Sequence, residues 1–496
     1  MKSPKLGEVF DPAIPLVGSP SELLPAAQGE RCIPVVLELW VPSTTAAGKH
    51  EGTLQLMGEN GTLEIPLELN VWNFSLPDRL SFLAEMNCYG LPANEVDYYR
   101  LAHRHRTVLN RVPYSQSGQV ADGCAPVVRT DGTLDFTAWD KRFGPILDGS
   151  AFTDLPRAGM PVDCFYLPLH ENWPATMQEH YRGSYWADAG FSQEYWKRFE
   201  NASEQFTAHL QKNHYQRTLF HLFLNNKNNF KQNGWQRGSS PWLLDEPAHF
   251  QDFWALKMFG EAGLRGRNRA LSGKPDPIQL LYRCDISRPQ WQRDSLDEVL
   301  GYNVIAGGPF LAYREEILRR KTQFEQVIVA YGTPNHPDQS NVQGAAWCVD
   351  AWRLGADGIV PWQTIGNAQS WQQADETALL YPANNQAASP LPIPSIRLKS
   401  YLRGEQDVEY LTLYLQAHPE LSREQLAKEL EQAIGLSPVR EASSFQGAED
   451  AGRITYQNLR PQTLWQLRTW LAQAISQKLP GKEDTRRGWP AGPAGR

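Results

Sequence analysis

Leu243-Leu244-Asp245-Glu246-Pro247 places two adjacent carboxylates between an apolar pair and a proline. Two carboxylates held close together disfavour double ionisation, so one pKa rises, and a carboxyl with a raised pKa is a natural general acid. Pro247 biases Glu246 towards extended backbone geometry. Side chains alternate faces along a regular strand, so both acids can serve one pocket only if the strand bulges or breaks there. A structural reading competes: a helix begins near Ala248, and acidic residues favour the positive end of its dipole.

Other polar and aromatic residues fall at the ends of predicted strands. Asn225, Lys227, Arg283, Tyr331 and Trp362 do so, and His170 and Glu171 follow another strand. All but His170 are expected to contact a substrate, with Trp362 stacking under a ring and Tyr331 hydrogen-bonding. Taken singly, each is equally readable as a packing residue. The chain holds 17 Trp, 18 Tyr and 19 Phe, many beside polar groups, as in Glu171-Asn172-Trp173-Pro174 and Pro361-Trp362-Gln363. Such rings suit a ligand with an apolar face edged by hydroxyls, which describes a sugar; large α/β cores also use many aromatics. His103-Arg104-His105 does not read as a metal pair, because residues two apart on a helix do not face each other. The six cysteines are scattered without C-x-x-C spacing, and no phosphate loop or dinucleotide fingerprint follows a strand. No metal and no organic cofactor is expected.

The elements that must position these residues change character along the chain. In the first ~75 residues, Val35, Leu37, Leu39 and Val41 alternate with other residues, as do Leu63, Ile65, Leu67, Leu69 and Val71, the period of a β-strand. A further strand is expected at 52–57, Asn60-Gly61 reads as a hairpin turn, and Pro66 suggests an edge. Three or four strands are too few for a complete sandwich. Either the first 32 residues add irregular strands or this is the remnant of a larger β module. Beyond residue 79, strand candidates at 82–87, 108–113, 162–169, 219–225, 242–245, 278–283, 304–307, 327–331 and 358–362 alternate with helical patterns, one of which sets Tyr195, Phe199, Ala202, Phe206 and Leu210 on a single face. Repeated strand–helix alternation over ~300 residues predicts an α/β fold, a (β/α)8 TIM-type barrel, with 242–245 the surplus ninth candidate. Barrel catalytic groups sit at the C-terminal ends of strands, which is where the acidic pair falls. Helices close the chain: Ser422 and Gln425 form a capping box flanked by Leu421 and Leu426, and Leu464, Leu467, Leu471 and Ile475 line the last helix. The expected division is a small antiparallel β domain over 1–76, the barrel with its C-terminal helices over 77–478, and a disordered tail over 479–496.

Asp245-Glu246-Pro247 resembles the catalytic motif of glycoside hydrolase family 123 and its related barrel proteins. Other segments resemble that family in the same order. Residues 41–54 look like the hairpin of its N-terminal β domain, and 69–77 like the strand leading into its barrel. Gly355-Ala356-Asp357-Gly358-Ile359-Val360-Pro361-Trp362 looks like its last barrel strand. Residues 395–411, with Arg403-Gly404-Glu405-Gln406-Asp407-Val408-Glu409-Tyr410-Leu411, look like the helix that follows. The resemblance implies a β-N-acetylhexosaminidase, of the N-acetylgalactosaminidase kind, working by substrate assistance. Asp245 would hold the 2-acetamido group while its carbonyl oxygen attacks the anomeric carbon, and Glu246 would act as general acid, then base. The chain departs from the pattern in a polar stretch, 225–240, between the strong strand and the acidic pair. Two alternatives stay open: hydrolysis of a non-acetamido sugar by Glu246 with a remote carboxylate, Glu171 or Asp285, and a non-catalytic carbohydrate-binding barrel.

Composition narrows the partners. A formal net charge of −7 with no long basic run makes a poor nucleic-acid binder, and no apolar run approaches the ~18 residues that span a bilayer. The expected partner is an oligosaccharide or glycan, with no nucleic acid, no membrane and the oligomeric state open. No apolar stretch follows Met1-Lys2-Ser3-Pro4, so no signal peptide is read: cytoplasmic as written, or exported if an upstream segment is missing.

Overall fold

The computed structural model describes residues 2–3, 6–15, 34–58, 61–116, 118–227, 234–235, 240–332, 334–383, 390–436, 438–441 and 453–479. Eight short strands form its centre: β1 (Leu83–Cys88), β2 (Val108–Arg111), β3 (Cys164–Tyr166), β4 (Leu219–Phe223), β5 (Gln279–Ile286), β6 (Tyr302–Ala306), β7 (Val327–Gly332) and β8 (Gly358–Pro361). They pair in parallel in the order β2-β1-β8-β7-β6-β5-β4-β3. This is a nearly closed (β/α)8 barrel. Across the seam between β2 and β3 the Asn110 amide donates to Cys164 Sγ at 3.2 Å. Strands buried on both faces read as near-continuous apolar runs, which is why eight of the nine expected strands exist within a few residues of where the sequence put them.

Residues 242–245 are the exception, as the surplus candidate, and lie in a loop. Three apolar residues do not make a strand without a neighbour to pair with, and β4 already pairs with β3 and β5.

Helices cover the barrel: α1 (Glu95–Arg104), α2 (Thr137–Leu147), α3 (Gln193–Lys212), α4 (Phe250–Leu271), α5 (Arg314–Gln323), α6 (Gln343–Leu354) and α7 (Ile396–Ala417). Ser192 caps α3 by accepting from the Tyr195 N–H at 3.2 Å, and the expected face is buried, Tyr195, Phe199, Ala202, Phe206 and Leu210 included. Helix α4 packs hard against it: a Cβ on Gly266 would run into the Glu200 carbonyl oxygen. That close approach fixes the later turns of α4 against α3. Two further helices follow, α8 (Arg423–Ile434), which has the expected Ser422/Gln425 capping box, and α9 (Pro461–Lys478), which buries Leu464, Leu467, Leu471 and Ile475.

The N-terminal region differs from its reading. Gly48–Gly58 and Gly61–Val71 form one antiparallel hairpin in full register, with Pro66 opposite Thr53. Asn60 of its expected turn lies outside the described residues, as do 480–496 of the tail. Residues 34–42 carry no regular secondary structure, although Val35 to Val41 alternate cleanly; Val35, Leu37, Leu39 and Trp40 are exposed. Alternation makes a strand possible, but pairing requires a neighbour, and none of the described residues supplies one. Lys2 and residues 11–13 instead bond to the segments at 372–374 and 394–396 beside the barrel. Buried Asp11 accepts from Arg397 at the start of α7 at 2.9 and 2.7 Å and from the Tyr381 hydroxyl at 2.7 Å. No described helix is long and apolar enough to cross a membrane.

Candidate active site

The C-terminal ends of β1 and β4–β8 surround one cavity. Its lining includes Asn87 at the end of β1 and Tyr89 just after it, Phe223 at the end of β4 with Asn225 and Lys227 after it, and the acidic pair Asp245 and Glu246. Asp285, Tyr331 and Trp362 complete it from β5, β7 and β8. Six of the eight expected site residues therefore meet: Asp245, Glu246, Asn225, Lys227, Tyr331 and Trp362.

The chain breaks its geometry to bring both acids there. Glu246 has φ +53°, in the left-handed region that costs a non-glycine residue of order 1–3 kcal/mol and persists only where surroundings enforce it. Here they do. The Asn226 carbonyl accepts from the Leu244 and Asp245 N–H groups at 3.0 and 3.3 Å, and the Asp285 carbonyl accepts from the Glu246 N–H at 3.2 Å. The Asp252 carboxylate accepts from Leu243 N–H at 3.0 Å, before the pair, and from Ala248 and His249 N–H at 3.0 and 2.8 Å, after it. Asp252, not Asp245 or Glu246, thus serves the helix N-terminus, which answers the structural reading of the pair and leaves both acids to the cavity.

Lys227 sits between them. Its Nζ is 2.9 Å from Glu246 Oε2 and 3.4 Å from Asp245 Oδ2, and it lies 5.8 Å from the centre of the Trp362 ring. Burial works against its charge, but Asp245 and Glu246 outweigh that and hold its pKa above the ordinary lysine value. Asp245 is buried, and burial pushes its carboxyl well above the usual range; Lys227 opposes this, while the nearby carboxylates of Asp285 and Glu246 add to it. Glu246 is open, its side chain 40% exposed. The pair therefore has one carboxyl deep in low dielectric and one facing solvent, the separation of environments that divides acid from base roles.

An aromatic wall faces the acids. Trp362 meets Tyr89 edge-to-face at 5.5 Å, and Asn225 donates to the Tyr89 hydroxyl at 2.9 Å. The Asn87 amide donates to the Trp362 carbonyl at 3.0 Å, tying the end of β8 to β1. Asn87 and Tyr89 were not singled out in the sequence, although their place at the end of the first strand was a usable signal.

Arg283 and Glu171 are elsewhere. Arg283 is buried beneath the cavity, bound to Asp285 at 2.8 and 3.1 Å and to Glu85 at 3.1 Å, with Phe223 and Tyr166 rings against its guanidinium. On β5 it lies two residues from Asp285 and so shares its face; it reaches the cavity only through that carboxylate. Glu171 is fully buried outside the lining, beside Asn226 and 3.7 Å from His170 Nδ1, and burial lifts its pKa to about 7. The loop after β3 turns its side chain into packing.

Among the described residues, one group has ligand atoms near enough to share a metal ion: Glu85, Cys164 and His221, within 4.8 Å of one another. Glu85 already accepts from Asn110 at 2.6 Å, from Arg283 and from the Tyr302 hydroxyl. The fixed positive charge of Arg283 beside it opposes a cation there, so the cluster reads as barrel support.

No protein-family profile matches the chain, and no curated protein matches it in sequence. Solved structures do. A family 123 glycoside hydrolase from Clostridium perfringens, whose structure details glycolipid glycan hydrolysis, is similar over 88% of this chain and 75% of its own, at 11% identity and a TM-score of 0.51. The endo-beta-1,4-mannanase of Thermotoga petrophila is similar over 66% of this chain and 77% of its own, at 9% identity and a TM-score of 0.37. A GH138 enzyme targeting pectin rhamnogalacturonan II is similar over 75% of this chain and 46% of its own, at 11% identity and a TM-score of 0.26. At such identities the likeness to the first is one of fold.

Proposed function

We propose that the chain is a glycoside hydrolase that cleaves a 2-acetamido sugar by substrate assistance at Asp245 and Glu246. The observation that carries this is the acidic turn itself: a strained backbone directs two adjacent carboxylates into a single cavity, opposite an aromatic wall and around one lysine. The fold likeness to a family 123 glycoside hydrolase supports the same reading.

The roles are those that the resemblance to family 123 implies, and they require that the proton burial favours on Asp245 in the free protein sits on Glu246 once the acetamido group is bound. The acetamido carbonyl oxygen attacks the anomeric carbon as the bond to the leaving oxygen breaks. Positive charge spreads over the resulting oxazolinium, and the Asp245 carboxylate accepts the amide N–H and stabilises that charge where the surroundings screen it least. Glu246 faces solvent, so it suits the leaving group: it donates its proton to the departing oxygen, then takes one from the water that opens the ring. Like charges so close favour one shared proton over two ionised groups, and Lys227 moderates the cost of the remaining charge. Trp362 offers an apolar face to the sugar's C–H groups.

The test is hydrolysis of aryl β-N-acetylgalactosaminide, β-N-acetylglucosaminide and neutral hexosides by wild type and Glu246→Gln. The expected outcome is cleavage of an acetamido sugar, reduced about 10²–10⁴-fold in the variant. Equal rates for variant and wild type would remove Glu246 as the acid. Cleavage of neutral sugars alone would discard substrate assistance in favour of a second enzymic carboxylate, for which Asp285 lines the same cavity.

A further inference from the structure

Outside the cavity, the same face of the barrel leaves three aromatic rings in water. Trp186 is 63% exposed, Phe250 62% and Trp291 47%. They come from the consecutive loops after β3, β4 and β5, whereas Trp173 and Trp242 of the first two loops are buried and Trp235 is half-buried.

Each ring is fastened to the acidic turn or to a neighbour that is. Phe250 opens α4 four residues beyond Glu246 and lies nearly parallel to Trp254, with centroids 6.1 Å apart. The N–H of Ala187, next to Trp186, donates to Oε1 of Gln251, next to Phe250, at 2.8 Å. On the other side Arg288 donates to the Glu246 carbonyl at 3.2 Å, and its guanidinium lies 5.4 Å from the centre of the Trp291 ring. The backbone that carries the rings is thus tied to scaffold, so binding does not have to order free chain first.

Their surroundings select the ligand. A protein partner of stable affinity wants a contiguous, desolvated apolar centre. Here the rings come from three separate loops, and the half-buried guanidinium of Arg288 stands between Trp291 and the acidic turn that leads into Phe250. A glycan offers the matching pattern, with apolar C–H faces on its units edged by hydroxyls that take the intervening donors. We infer that Trp186, Phe250 and Trp291 form an outer subsite that binds the further units of an oligosaccharide chain whose reacting unit occupies the cavity. The inference rests on the hydrolase reading for the cavity's occupant and extends it: the substrate is a chain, not a single glycoside.

The experiment reads binding without turnover. Glu246→Gln protein is run in native gels containing glycol chitin, galactomannan or mucin, beside the same protein carrying Trp186→Ala, Phe250→Ala and Trp291→Ala together. Unchanged thermal unfolding of the triple variant establishes that it folds. The expected result is retardation of the parent in at least one gel, lost in the triple variant, with each single change costing roughly 5- to 10-fold in affinity. Equal retardation of the two proteins, or no retardation of the parent in any of the three gels, overturns the subsite. Aryl glycoside turnover is measured separately on the wild-type cavity, so silence there counts against the hydrolase reading and leaves the binding result standing.

Discussion

Two charged clusters in this barrel use the same residue types to different ends. In the core, Glu85 is fully buried and accepts from Asn110, Arg283 and the Tyr302 hydroxyl, while Arg283 also grips Asp285 with two hydrogen bonds and is flanked by rings. At the mouth, Asp245 and Glu246 share Lys227, one of the two stands open to solvent, and a cavity lies beside them. A buried carboxylate whose partners surround it cannot meet a substrate; one with a single partner and an open side can. The difference separates support from chemistry better than the identity of the residues does.

That contrast can be broken from either side. Glu85→Ala leaves the Arg283 guanidinium buried with one partner fewer, so unfolding in urea is expected to show a loss of about 3–5 kcal/mol. A loss below 1 kcal/mol would mean the core cluster is not structural.

Glu171 tests the boundary between the two classes, since it is as buried as Glu85 and belongs to neither cluster. Its folded pKa, about 7, lies above the ordinary 4.5 because burial disfavours the charged form. A raised carboxyl pKa means the native state holds the proton more tightly than the unfolded chain does. Its stabilising effect is complete below pH 4.5 and is lost as pH climbs to about 7, a change of about 3 kcal/mol at 1.36 kcal/mol per unit. Glu171→Gln should remove that slope, so the stability difference between wild type and variant shifts across this window and is flat above it. A difference constant from pH 4 to 8 would show that Glu171 is not the titrating group.

The smallest effect on the fold, and a clear one on chemistry, is expected from Lys227→Met. A partly exposed ion pair contributes about 1 kcal/mol or less to stability, so unfolding should barely move. Without the ammonium, the Asp245 carboxyl holds its proton to higher pH. The acid limb of kcat/KM should therefore shift upward, with roughly a 10-fold lower value at neutral pH. An unmoved pH profile would separate Lys227 from the pair.

The barrel was legible because its strands are local apolar runs. Val327–Gly332 and Tyr302–Ala306 are buried along nearly their whole length, so each announces itself without knowledge of its neighbours. The alternation of residues 35–41 misled for the converse reason, because a strand exposed on one face exists only if another strand takes its hydrogen bonds. The acidic pair was legible as a candidate site, and Lys227, Asn225, Tyr331 and Trp362 as strand-end candidates; the structure brings all six to one cavity. Glu171 and Asp285 were indistinguishable in sequence, since both lie near the end of a strand. They parted in space because Asp285 projects from β5 with Arg283, while the loop after β3 folds Glu171 inward.

By itself, then, the sequence determined the alternating strand and helix segments, the capped start of α8 and the presence of two adjacent carboxylates before a proline, all of which depend on short-range periodicity and local hydrogen bonding. Only the tertiary structure decided that both carboxylates face one cavity. The positive φ of Glu246 is sustained by Asn226, Asp252 and Asp285, which lie at separate points of the chain and meet only when the barrel places them around the turn.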